Sequence, residues 1–406
     1  MVADFILPLI LHVFESVFFY FLGKIKKKGE WKMRVVEVIS DTNIGGAGVL
    51  LCNRLRHKSE DIETVVVLPR GSRLLPRLSE LGVPAVQMRR CRDRSLDPLA
   101  IPELIAILKS LKPDIVNSHG CASARVAARL SGTRVSVYTR HCCFPIKRIY
   151  EQKLTRSLTA FTSKLTCDAV IAVSPAVKRD LALMGVPRSM VKVIVNGAEP
   201  LRLLNVEERA AKRRKLAVPE GATVVGIFAR LEKCKDHETF LKAARVLCDR
   251  GGEYRFLIVG TGSTEAHLKR FCKDLGLEKK VVFTGFVEDI SPLMSITDIN
   301  VNCSVGTETS SLALSEGMSL GVPAVVSDFG GNSYMVKDGV NGFVYPQRDR
   351  IALADAIIRL SDKKLYTKFS KNSLERFERE LNAERMASET AEFYRQLYRA
   401  KEKRSI

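Results

Sequence analysis

INVNCSVGTETSSLALSEGMSLGVPAVVS, residues 299–327, compresses a strand, a loop, a helix and a second strand into one short run. Residues 299–303 are apolar at alternate positions, with β-branched Ile299 and Val301, and Gly306, Thr307 and Ser310 are loop formers. A helix opens near Ser311 and stops at Gly321, with Pro323 just beyond it, before residues 324–327 resume as strand. A short buried strand, a helix and another such strand form the repeating unit of a parallel sheet. The stretch therefore predicts an α/β fold with doubly wound parallel sheets.

The same alternation extends outward. Strands are predicted at residues 34–39, 64–68, 114–117, 135–138, 169–173 and 192–195, then again at 223–229, 254–259 and 281–284. Amphipathic helices fill the gaps, for example at 102–111 and 174–184. A chain of 406 residues is too long for one core. The strand series also starts twice, so two Rossmann-like domains are expected to face each other across a cleft. Their predicted bounds are residues 33–198 and 199–378, joined near the start of the polar stretch 196–218. Residues 379–406 form a C-terminal helix that crosses back to the first domain.

Composition narrows the partners. Hydrophobic and charged fractions of 46% and 27% are those of an ordinary folded enzyme and exclude disordered and fibrous classes. The net charge is +20, of which residues 33–200 carry +12. Such a field attracts nucleic acid or anionic lipid. No zinc-finger or RNA-recognition signature and no aromatic interleaving accompanies the basic residues, so an anionic membrane surface is the expected partner and nucleic acid is not. A basic nucleic-acid-binding protein stays as the alternative that charge alone suggests. The ten cysteines never fall in C-x-x-C spacing, which argues against a metal ribbon and for a reducing cytosol.

Residues 1–32 are expected to associate with a membrane. Residues 5–23 are apolar apart from Pro8, His12 and Glu15, and Lys24, Lys26, Lys27 and Lys28 follow at once. The segment either spans the bilayer or lies in its interface, and the lysines place the body on the cytoplasmic, inner face. The alternative is that Met33, at the head of the first strand, is the true start.

The site is expected where strands end and helices begin. A helix N-terminus at the carboxyl end of a parallel strand binds anions through its free N–H groups. Glu308 and Glu316 flank the helix start near Ser311. Two carboxylates beside an anion site suit a ligand with a diphosphate at its middle and hydroxyls at both ends, such as a nucleotide sugar. Arg230 and Lys235, after the strand at 223–229, can neutralise a diphosphate leaving group. The alternative for that pair is two solvated cations on a loop. No Asp-x-Asp pair is present, so neither metal nor other cofactor is expected.

These elements, in order, are Ile44-Gly45-Gly46-Ala47, Asn117-Ser118-His119, Ala172-Val173-Ser174, Asn196-Gly197, Arg230 with Lys235, Val259-Gly260-Thr261-Gly262, Thr284-Gly285-Phe286, and Glu308 with Glu316 running into Gly321-Val322-Pro323. Together they resemble the retaining family-4 glycosyltransferases of GT-B fold over nearly all of residues 33–400. The resemblance implies transfer of a hexosyl or N-acetylhexosaminyl unit from a nucleotide-diphosphate sugar to a lipid-linked glycan or glycolipid in cell-envelope polysaccharide synthesis. It implies donor contacts from Gly46, Arg230, Lys235, Gly260, Gly262, Phe286, Val287, Ser310, Ser311 and Glu316. Glu308 and His119 would act at the transferred sugar, His119 facing it across the cleft unless it is a satisfied structural histidine. Arg140 and His141 would lie toward the acceptor, Arg140 meeting an anionic group or a partner in its own domain. The chain departs from the family where Glu308-Thr309-Ser310-Ser311 replaces the frequent Glu-Gly-Phe-Gly, which leaves the sugar open. A sugar-nucleotide epimerase of the same fold is the alternative, separable because it needs no acceptor.

Overall fold

The computed structural model describes residues 32–89, 95–143 and 146–403. The expected membrane-associating stretch, save Lys32, lies outside these residues. Two parallel sheets form the body. The first has seven strands: β1 (Met33–Ile39), β2 (Ile62–Pro69), β3 (Ala85–Met88), β4 (Ile115–His119), β5 (Val135–Arg140), β6 (Ala169–Ala172) and β7 (Val191–Val193). The second has six: β8 (Thr223–Phe228), β9 (Tyr254–Val259), β10 (Val281–Gly285), β11 (Ile299–Asn302), β12 (Ala324–Ser327) and β13 (Gly342–Tyr345). Their orders are β3-β2-β1-β4-β5-β6-β7 and β10-β9-β8-β11-β12-β13. Both are the doubly wound order, with helices on the two faces.

These are the two doubly wound parallel sheets that the strand pattern predicted. Val35, Val36 and Val38 of β1 and Val224, Val225 and Ile227 of β8 are all buried, as a strand covered on both faces requires. In each sheet the order reverses beside its first strand, between β1 and β4 and between β8 and β11. A crevice opens at the carboxyl ends of strands on either side of such a reversal. Only β3 and β13, four-residue edge strands, were absent from the expectation.

The helix Ala383–Glu402 crosses back as expected. Met386 and Tyr394 are buried against Met33, Val35 and Ile115 of the first sheet. Each such side chain contributes about 1.5–3 kcal/mol through burial. Where the chain passes between domains it does so twice, and the two passes bond to each other. Ala198 donates to the carbonyl of Leu381 at 2.9 Å, and Ala383 donates to that of Ala198 at 2.9 Å. A Cβ on Gly197 would collide with the backbone of Asn382, so only glycine lets the passes lie this close. Among the described residues no helix is long and apolar enough to cross a membrane.

Candidate active site

The loop after β8 carries Arg230 and a single 3-10 turn, Lys233–Lys235, that ends at Asp236 with a φ of 47°. That turn aims Lys235 at the loop after β11. Its Nζ donates to Glu308 Oε2 at 2.8 Å and to Ser304 Oγ at 3.3 Å. Asn302 Nδ2 and Ser304 Oγ donate to the same carboxylate oxygen, each at 3.0 Å. Burial alone would raise the pKa of Glu308, but the lysine charge and these hydrogen bonds outweigh it and hold the carboxyl below its ordinary value. Glu308 is thus an anion fixed in place. Arg230 differs: it is exposed and, among the described residues, forms no ion pair.

Gly260 and Gly262 were expected to touch the donor. A Cβ on Gly260 would strike the carbonyl of Ala229, and one on Gly262 the carbonyl of Leu231. Their smallness lets the loops after β8 and β9 lie side by side, which sets the backbone on both sides of Arg230. Phe286 leaves β10 with its ring 73% exposed, whereas Val287 packs against the core beneath. An uncovered ring at a strand's carboxyl end offers a face on which a planar base can stack.

Past Glu308 the chain is gripped from below and from across the cleft. Gly331 N–H donates to the carbonyl of Glu308 at 3.2 Å, and a Cβ on Gly331 would overlap the carbonyl of Thr309. Ser310 Oγ lies 3.4 Å from the sulfur of Met335. Thr309 Oγ1 donates to the backbone carbonyl of His141 at 3.0 Å, a direct bond between the two domains. Ser311 then caps the helix Leu312–Ser319 with neither a side-chain hydrogen bond nor an acidic residue in the first turn. The first N–H groups stay available to an outside acceptor. One turn in, the half-buried carboxylate of Glu316 has no hydrogen-bond or ion-pair partner among the described residues, and burial pushes its pKa up to about 7.

On the facing domain, Gly46 is the first residue of the helix Gly46–Arg56, which also starts without a capping side chain or an acidic residue. No atom stands within 4 Å of where its Cβ would be. The chain itself therefore does not require glycine there. His119 is placed as its structural alternative has it: it is 6% exposed, with Nε2 at 2.7 Å from Glu37 Oε2 and Nδ1 at 2.8 Å from His141 Nε2. Glu37 is fully buried, also bonded to Arg54, Asn117 and Tyr394, and its negative charge draws the imidazole inward. The His141 ring stacks on that of His119 with centroids 5.1 Å apart. Burial and the neighbouring His119 push the His141 pKa down to about 3, so it is neutral. Arg140 Nε donates to the carbonyl of Cys142 at 3.0 Å, within its own segment.

Asn302, Ser304, Gly330 and Gly331 were not anticipated. All four lie at carboxyl ends of β11 or β12, the edge where a ligand-side residue is expected in a parallel sheet. The Gly330-Gly331 pair after an apolar run was the readable signal.

Residues 208–376 match the family described as glycosyl transferases group 1, and residues 44–202 match glycosyltransferase family 4. The UDP-Gal:alpha-D-GlcNAc-diphosphoundecaprenol alpha-1,3-galactosyltransferase of Escherichia coli is 28% identical over 293 residues, which cover 70% of this chain and 76% of that one. The amylovoran biosynthesis glycosyltransferase AmsK of Erwinia amylovora is 27% identical over 74% of this chain and 75% of its own. Among solved structures, Anabaena Alr3699/HepE in complex with UDP-glucose superposes with a TM-score of 0.75 at 21% identity, over 90% of this chain and 100% of that one. This last likeness speaks to the fold.

Proposed function

Since the chain belongs to the family-4, group 1 glycosyltransferases of GT-B fold and so uses a nucleotide sugar, we propose that it is a retaining enzyme that moves a hexosyl or N-acetylhexosaminyl unit to a lipid-linked glycan or glycolipid at the inner face of a membrane. The observation that carries this reading is the gathering of Arg230, the Lys235–Glu308 pair, an uncapped helix start and a Glu316 carboxylate without a partner among the described residues at one strand-order reversal. The acceptor class is supported by the Escherichia coli relative, whose name specifies a diphosphoundecaprenol-linked sugar.

Each group has a task in the transfer. The diphosphate lies on the N–H groups of the helix start, with Arg230 and Lys235 balancing the charge that grows as the bond from the anomeric carbon to phosphate oxygen breaks. No metal takes part. Glu316 accepts hydrogen bonds from the ribose hydroxyls, and Phe286 stacks on the base. Glu308, already an anion held by Lys235, Asn302, Ser304 and the Thr309 N–H, orients sugar hydroxyls and does not attack. The acceptor oxygen bonds to the anomeric carbon on the face the phosphate is leaving, and its proton passes to the departing phosphate oxygen.

The experiment is transfer from a panel of nucleotide sugars, UDP-linked donors first, to a polyprenyl-diphosphate N-acetylhexosamine, with the anomeric configuration of the product read by NMR. An α product from an α donor is expected, and no turnover without acceptor. An inverted product would refute retention, and acceptor-free conversion of the donor would indicate an epimerase.

A further inference from the structure

The helix Lys153–Thr166, between β5 and β6, is turned inside out. Its large apolar residues Leu154, Leu158, Phe161 and Leu165 are exposed, Leu154 to 80% and Phe161 to 63%. Spacings of four, three and four place all four on one side of the helix. The sides turned toward the protein carry Thr155, Thr159, Ala160 and Ser163. The hydroxyls of Thr159, Thr162 and Thr166 fold back onto carbonyls four residues earlier, at 2.8, 2.9 and 2.8 Å, so they need no outside partner. Ile149, in the 3-10 turn Arg148–Glu151 just before the helix, adds another exposed apolar side chain.

Leaving four large side chains of one stripe in water wastes burial worth about 1.5–3 kcal/mol each, unless something covers them. The charge around them says what. Between residues 147 and 166 stand Lys147, Arg148, Lys153, Arg156 and Lys164, all exposed, against Glu151 alone. An apolar stripe edged by cations matches an anionic bilayer, where leucine and phenylalanine enter the acyl boundary and the cations meet headgroup phosphates. We propose that the helix Lys153–Thr166, with the turn before it, is a second membrane-docking surface, on the body of the first domain and separate from residues 1–32. The segment that leads into it begins at His141, whose carbonyl bonds to Thr309 in the donor loop. Docking by this face would bring the cleft to the level at which a lipid-linked acceptor presents its sugar. The surface does not depend on the transfer chemistry: a chain without transferase activity would still carry it.

Phe161→Trp, made in the full chain with Trp31→Phe, gives a local reporter that binding through residues 1–32 cannot mimic. With vesicles of phosphatidylethanolamine and brominated phosphatidylglycerol, 3:1, the introduced indole should shift to the blue and be quenched, and phosphatidylcholine vesicles should do neither. Lys153→Glu with Lys164→Glu should lower apparent vesicle affinity at the reporter by about fivefold per charge. Unchanged far-ultraviolet circular dichroism would show that these exposed changes leave the fold intact. Emission unmoved by anionic vesicles overturns the proposal. So does emission already blue in buffer, since another segment or a second copy would then cover the face.

Discussion

Lys235 Nζ lies 2.8 Å from Glu308 Oε2, so one of the two cations proposed to receive a diphosphate is already paired with the carboxylate proposed to orient the sugar. The pair is nearly closed to solvent, with side-chain exposures of 16% and 7%. Removing the lysine alone strands a buried anion. Lys235→Met should therefore cost about 3 kcal/mol or more in urea unfolding and lower turnover by roughly 10²-fold. Adding Glu308→Gln should restore most of the stability and none of the turnover. Stability unchanged in the single variant would show that the pair is not formed in solution.

Arg230 allows charge and stability to be separated. It is exposed and unpaired among the described residues, so Arg230→Ala should change stability by less than about 0.5 kcal/mol. Turnover should still fall by roughly 10²-fold, mostly in kcat, because the charge it opposes develops in the transition state. Excess EDTA should change the rate of the wild type little. Loss of activity in EDTA, restored by magnesium, would contradict the metal-free reading.

The contrast between these two cations marks how far sequence reasoning reached. Strands such as β1 and β8 announce themselves because burial on both faces demands unbroken β-branched runs. The short edges β3 and β13 escape because four residues, one a Gly or Gln, carry too little of that pattern. Lys235 and Glu308 were legible as residue types at strand ends, but their pairing spans 73 positions and depends on a 3-10 turn. His119 shows the limit more sharply. Its place after a strand was visible, whereas its inward orientation is set by Glu37, 82 positions away, and by a network that Tyr394 joins from the far end of the chain.

Glu316 predicts opposite pH trends for stability and for binding. Its folded pKa, about 7, lies above the ordinary 4.5. Between those values the unfolded chain is ionised and the folded one is not, so stability should fall as pH rises through that window and stay reduced above it. Glu316→Gln should abolish the loss, being more stable than wild type at pH 8 and similar below pH 4.5. Donor binding should run the other way in the wild type and tighten above pH 7, because the carboxylate form accepts ribose hydroxyls more strongly. The glutamine variant should bind donor about tenfold or more weakly at pH 8, with a flat profile. Calorimetric titration across pH checks both; a wild-type affinity independent of pH between 6 and 8 would remove Glu316 from the ribose site.

A buried network centred on Glu37 stands behind the cleft. Burial would raise the pKa of Glu37, but the Arg54 charge and the His119 hydrogen bond outweigh it and bring the value down to about 2, from an ordinary 4.5. The sign follows: the stabilisation is complete above about pH 4.5 and is lost as pH falls toward 2. Glu37→Gln should flatten that acid limb and, by leaving Arg54 buried without its counter-ion, cost about 3 kcal/mol or more at neutral pH. Tyr394 Oη donates to Glu37 Oε1 at 3.0 Å, so Tyr394→Phe removes one hydrogen bond to a charged group and should cost about 1.5–3 kcal/mol. The two losses should differ in place. Without the tyrosine hydroxyl, hydrogen exchange should quicken first in the helix Ala383–Glu402, which would loosen the return crossing while β1 and β4 stay protected. Without the Glu37 charge, β1, β4 and the backbone around His141 should exchange faster together. Through the Thr309 bond to the His141 carbonyl, that second change should also raise the KM for donor. Equal exchange patterns in the two variants would mean that the crossing helix and the strands β1 and β4 open as one unit, against this division.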